Sequence, residues 1–134
     1  MFITVTECVN ELNNTMSFRG ETDIGSIAGL WMSRDIIPEA DVCYDCEVFL
    51  PELSANEITI TKNDKTPSRI EVGLSDKVFF KGVVESVGQN VFTASFGDWI
   101  ESFELSIPDL QTYDSISFTL DKTLITAYAF GAAE

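Results

Sequence analysis

The residues that could do chemistry here are cysteines and carboxylates, because the chain contains no histidine. Cys43 and Cys46 form a CxxC pair, and Cys8 is the third thiol. A redox CxxC needs its first cysteine at a helix N-terminus, and a structural zinc needs four ligands. This pair lies in residues 42–50, where Tyr44, Cys46, Val48 and Leu50 alternate with Cys43, Asp45, Glu47 and Phe49. A period of two reads as a strand, on which side chains three positions apart face opposite ways and cannot close on one ion. No metal and no cofactor is therefore expected. A Gly-rich phosphate loop, a GxSxG elbow and an HExxH helix are absent as well. Asp45 with Glu47, and Glu101 with Glu104, could in principle supply the acid and base of a glycosidase. With 22 acidic residues in 134, such pairs arise from composition alone. The expectation is a protein that binds rather than one that catalyses.

Charge says more than any motif. The 22 acids stand against eight bases, a net charge of −14 at neutral pH. Such a field repels nucleic acid and anionic membranes and attracts cationic partners at long range. It is also unevenly spread. Residues 35–61 hold seven acids (Asp35, Glu39, Asp41, Asp45, Glu47, Glu52, Glu57) and no Lys or Arg. Residues 82–121 hold seven more (Glu85, Asp98, Glu101, Glu104, Asp109, Asp114, Asp121), again without a cation. Five of the eight bases fall between the two stretches. Crowded acids without counter-charges repel one another, and a cationic partner would relieve that repulsion.

The elements that must position these groups are strands. At 134 residues the chain is the size of a single domain, expected over 1–134, and 45% hydrophobic residues suit a globular core. Residues 77–87, 91–96 and 99–107 read as an antiparallel meander with breaks at Gly88-Gln89-Asn90 and Gly97-Asp98. Phe92, Ala94 and Phe96 share one face of the second strand, and Phe103, Leu105 and Ile107 one face of the third. Residues 2–7 read as an edge-capable strand, 9–15 as a loop or single helical turn, and 42–50 as a strand ended by Pro51. Residues 57–62 and 69–74 read as a hairpin. Residues 115–121 reverse through Asp121-Lys122-Thr123 into a last strand at 124–130, and 131–134 form a tail with nothing to hold it. Residues 17–34 are ambiguous. Ile24, Ile27, Ala28 and Trp31 have helical spacing, but Gly25 and Gly29 weaken a helix and favour a turn followed by a strand at 30–33. The fold class is mainly β: an antiparallel sandwich or open barrel of about nine short strands, with a place for one short helix.

In layout the chain resembles the small acidic immunity proteins that bacteria pair with polymorphic toxins, including those of contact-dependent growth inhibition. The resemblance runs from Leu30-Trp31 through a loop to Tyr44-Asp45-Cys46-Glu47-Val48, then through β-strands to an aromatic last strand, Ala127-Tyr128-Ala129-Phe130. It implies a cytoplasmic antidote that binds a cognate toxin domain with a basic surface, such as a nuclease, and covers its working site. An odd number of cysteines and an N-terminus with no basic n-region agree with a reducing, cytoplasmic setting.

The candidate partner-binding residues follow from the loop that enters the strand at 42–50. They are Asp35, Glu39, Asp41, Asp45 and Glu47, with Asp98 and Glu101 as a second set and Tyr44 and Trp99 as aromatic anchors. Asp109, Asp114 and Asp121 are read as exposed and uninvolved. The rival expectation is a carbohydrate- or ligand-binding β domain using Trp31, Trp99 or Tyr113 as platforms. A third is a nucleic-acid mimic aimed at a defence enzyme.

Overall fold

The computed structural model describes residues 1–11 and 15–133. Eleven strands make one connected sheet: β1 (Phe2–Asn10), β2 (Met16–Thr22), β3 (Gly25–Trp31), β4 (Cys43–Phe49), β5 (Thr59–Thr61), β6 (Arg69–Val72), β7 (Lys77–Gly88), β8 (Val91–Phe96), β9 (Trp99–Phe103), β10 (Ser115–Asp121) and β11 (Thr126–Ala132). There is no α-helix among the described residues, only 3-10 turns at Ala55–Glu57, Leu74–Asp76 and Lys122–Leu124. The expected all-β class is what the chain adopts.

Five strands close on themselves. β1 pairs with β2, β2 with β3 and β4 with β1, all antiparallel, and β11 lies antiparallel to β4 and parallel to β3. Numbered among themselves these strands run 1-2-3-5-4-1, a small closed barrel with one parallel contact. β1 can serve two neighbours because Phe2, Ile3 and Thr4 face β4 while Thr4–Asn10 faces β2, with an irregularity between Val5 and Glu7. Ile3 and Val5 point inward and are fully buried. The strand read as edge-capable is thus an interior one.

The ambiguous stretch forms the β2–β3 hairpin, with Thr22 opposite Gly25. The glycines that seemed to weaken a helix are needed for close approach. A Cβ on Gly29 would sit 2.6 Å from the Ile125 carbonyl, where β3 meets β11. Gly25 has φ of 131°, and a Cβ there would meet the Ile70 carbonyl at 2.0 Å. Trp31 packs edge-on between Phe18 and Tyr44 inside the barrel, and its indole N–H donates to the Ile36 carbonyl at 2.8 Å. The helical spacing is not a single face: Ile27 and Trp31 share one side of β3, Ala28 lies on the other, and Ile24 is in the turn before it.

The other six strands lie in the long excursion between β4 and β11. The expected hairpin of β5 with β6 does not form, because the order is β6-β7-β10-β5. Two strands stand between them. The turn after β5 is pinned instead by Lys81, buried on β7, whose ammonium lies 2.8 Å from Asp64. The β7-β8-β9 meander forms as expected, though β9 stops at Phe103. It is covered by an aromatic cluster in which Phe80 stacks on Phe118 at 5.1 Å and Phe92 on Phe103 at 4.9 Å. Phe96 meets Phe80, Trp99, Phe103 and Phe118. Each such pair is worth about 0.5–1.5 kcal/mol beyond area burial.

β10 and β11 do not pair with each other. Asp121 accepts from the Thr123 N–H at 3.0 Å, and the 3-10 turn it starts carries the chain back to the barrel. The presumed tail is held as well: Gly131 and Ala132 pair with Asp45 and Tyr44, and the Ala133 N–H donates to the Cys43 carbonyl. Of the stretch expected as a loop at 9–15, Val9 and Asn10 belong to β1, and Leu12 lies outside the described residues. Asn13, Asn14 and Glu134 lie outside the described residues.

Gly25→Ala should cost more than about 2 kcal/mol, since both φ and the Ile70 carbonyl oppose a Cβ. Gly73→Ala, which meets nothing nearer than 3.6 Å, should change stability little. Urea unfolding of the two variants checks this.

Candidate functional site

Some acids of the two stretches that lie far apart in sequence meet along one groove. It consists of adjoining clefts of about 500 and 290 Å³ that share Leu50 and Glu101. One wall is β4 with the chain leaving it, contributing Asp45, Glu47 and Glu52. The other is β9 and the residues after it, contributing Trp99, Glu101 and Glu104. β4 places Asp45 and Glu47 outward because its alternation is strict: Tyr44, Cys46 and Val48 are buried, and their neighbours are not. β9 places Glu101 on the same face as Trp99 and Phe103, the face that otherwise turns to the core.

That position has an electrostatic consequence. Burial pushes the Glu101 carboxyl above its ordinary value, the Ser102 N–H works against this, and the Glu47 carboxylate raises it further. Glu101 therefore costs stability when charged. The apolar surface around it is also unusual. Phe49, Ile100 and Phe130 are exposed at 49%, 62% and 61%, and all three line the groove. Tyr128 packs edge-on against Phe130 at 5.6 Å on the outer face of β11.

Not every expected residue belongs here. Asp35, Glu39 and Asp41 are exposed but lie in the loop that enters β4, and none lines the groove. Asp98 sits in the β8–β9 turn and lines a smaller cleft with Met1, Phe2, Asp23 and Trp99. Tyr44 is a correction. It is 4% exposed inside the barrel, and its hydroxyl accepts from the Glu39 N–H at 2.9 Å, so it anchors the loop rather than a partner. Trp99 is half-buried against Phe80 and Phe96, with part of its surface on the groove.

The reading of the second acidic stretch also changes. Asp114 is buried at 6% exposure and paired with Lys62. Burial alone would raise its carboxyl, but Lys62 and the Gln111 N–H hold it below its ordinary value. Asp121 is held at about 2 by the Thr123 N–H and hydroxyl and then by Lys77. Both are structural. Arg19, Lys62, Arg69, Lys77, Lys81 and Lys122 all form ion pairs, and none of these pairs reaches an acid of the groove. Cys43 and Cys46 face opposite sides of β4, and burial pushes the Cys46 thiol up to about 12. Among the described residues no three or more His, Cys, Asp or Glu side chains are grouped to hold a metal ion.

Comparison with family models, with curated proteins and with solved structures found no match for this chain. The groove is therefore read from its own chemistry. It can offer carboxylates to cations and exposed aromatic surface to apolar side chains. Sequence reasoning missed Phe49, Ile100 and Phe130 as contributors. The available signal was Ala127-Tyr128-Ala129-Phe130, where the small residues take the buried face and the aromatics the wet one.

Glu101→Gln should stabilise the protein at pH 7. A raised folded-state carboxyl makes the charged form costly, and the cost disappears as pH falls below the ordinary carboxylate value and Glu101 is protonated in both states. The gain over wild type should therefore vanish near pH 4, as urea unfolding at the two pH values would show. A gain that is equal at both would contradict this account of Glu101.

Proposed function

We propose that the protein is a non-catalytic inhibitor that binds a cognate toxin domain with a basic surface and occludes it, acting as a cytoplasmic immunity protein. The single observation that carries this reading is the groove. Asp45, Glu47, Glu52, Glu101 and Glu104 converge there without an ion-paired cation, around exposed aromatic and aliphatic side chains. Uncompensated carboxylates speed the encounter with a basic partner, and buried aromatic contacts slow its release. Among the described residues no helix is long and apolar enough to cross a membrane. The carbohydrate-binding alternative loses one of its platforms, since Trp31 is buried in the barrel with its N–H already bonded.

The test is co-expression with basic toxin domains, beginning with any encoded beside its gene. The protein should restore growth and bind the domain, more weakly as salt is added. Asp45→Lys, Glu47→Lys and Glu101→Gln together should weaken binding about a hundredfold, the scale set by the loss of buried interfacial charge pairs. Reversing the exposed acids Glu7, Glu21 and Glu85, none of which lines the groove, should mainly slow association. Equal effects of the two sets on the dissociation constant would remove the groove from the mechanism.

A further inference from the structure

One wall of the groove is a strand edge with free backbone, and the other is the end of β4 beyond the reach of β1. Among the described residues β9 pairs only with β8. The two-residue turn at Gly97-Asp98 makes Phe96 and Trp99 a hydrogen-bonded pair, so the backbone groups of Trp99, Glu101 and Phe103 turn towards β8. Those of Ile100 and Ser102 turn away from it. The Ser102 N–H is engaged by the Glu101 carboxylate. Among the described residues no backbone partner meets Ile100 on that side. Across the groove, β4 pairs with the first residues of β1, and the Cys46 N–H donates to the Met1 carbonyl at 2.8 Å. Continuing that alternation, Val48 and Leu50 turn their backbone groups to the same side, where β1 no longer reaches.

The lining agrees with this geometry. Consecutive residues border the clefts: 45–50 on one wall, 99–101 and 101–105 on the other. A cleft over the face of a strand would take every second residue, whereas a cleft along an edge takes them all.

We propose that the groove receives an extended segment of a protein partner, alternating basic and apolar residues, as an added strand on the free edge of β9. The proposal rests on the reading of this face as a protein-binding surface and specifies how it binds. Main-chain bonds to Ile100 and to the Ser102 carbonyl would hold the segment in register, and its side chains would alternate between two environments. Basic side chains fall on the side of Glu47 and Glu101, and apolar ones on the side of Ile100. The same acids exclude a second copy of this chain, because two β9 edges brought together would face Glu101 and Glu104 with their own kind. Charge selects the guest, and the open edge supplies the bonds.

The experiment uses two capped octapeptides of equal charge, one repeating Lys-Val and one repeating Lys-Pro, titrated into the whole protein. Proline cannot donate to a ladder, so the second peptide keeps the charge and loses the strand. The Lys-Val peptide should bind at least about tenfold more tightly, the scale of one or two net hydrogen bonds. It should slow hydrogen exchange at the Ile100 amide, and Glu47→Gln with Glu101→Gln should abolish most of its binding. Equal affinity for the two peptides, protection of some other strand without Ile100, or a β9-paired dimer of the free protein would each overturn the proposal. Neutralisation of a toxin by a protein that fails the peptide test removes strand addition alone. Peptide binding by a protein that neutralises no basic domain removes the inhibitor reading alone.

Discussion

The fold depends on the few backbone bonds that close the barrel between β3 and β11. The Leu30 N–H donates to the Ile125 carbonyl at 2.8 Å, and the Met32 N–H to the Ala127 carbonyl at 2.8 Å. These join residues nearly a hundred positions apart, so they form only after everything between them has been folded out of the way. Closing so long a loop adds only logarithmically to its entropic cost, but non-local pairing of this kind slows folding. Gly29 makes the closure possible by letting the two backbones meet. Once β3 and β11 are joined, the excursion after β4 has to lie outside the barrel as an extension of the same sheet. It is tied back where Gly25 pairs with Ile70 and where the Val72 N–H donates to the Ser26 hydroxyl at 2.9 Å. The groove is what this arrangement leaves between the barrel wall and the outermost strand.

Charge follows the same division. The cations are spent inside the excursion and at its junction with the barrel: Lys81 on Asp64, Lys62 on Asp114, Lys77 on Asp121, and Arg19 and Lys122 both on Asp76. Most of these pairs are exposed and individually worth little. The Lys81–Asp64 pair is different, because its ammonium is buried and removing either partner would strand the other. Five of the remaining acids, Asp45, Glu47, Glu52, Glu101 and Glu104, line the groove, where no Lys or Arg is placed. In a protein of net charge −14, docking a basic partner on such a surface removes repulsion instead of adding a desolvation cost alone.

Strand identity was legible because each strand has one wet face. Phe92, Ala94 and Phe96, or Ile116, Phe118 and Leu120, announce themselves by a period of two. Pairing was much less legible. β5 and β6 look like a hairpin because they are neighbours with a polar turn between them, yet β7 and β10 occupy the space between them. Nothing local encodes that insertion; it follows from the shared register of β7 with both partners. The site was half legible for the same reason. Asp45 and Glu47 could be placed on an outer face from alternation, but their meeting with Glu101 depends on tertiary closure. Tyr44 was misjudged because an aromatic beside two acids looks like an anchor, while its parity on β4 puts it indoors.

An unpaired edge beside exposed Ile100 and Phe49 would ordinarily invite aggregation. The other free edge of the sheet, β5, is only three residues long and offers little to pair with. β9 is five residues long and needs a different safeguard. Glu101 supplies one: it occupies an inward position on an edge strand, a device that deters another neutral or acidic strand from docking. Its raised carboxyl is the local cost of that device, and Glu47 across the groove increases the cost. A cationic side chain entering between the two would lower the Glu101 carboxyl and recover what its proximity to Glu47 had cost. The feature that keeps the edge from pairing indiscriminately is therefore the same one that makes a basic strand its best occupant.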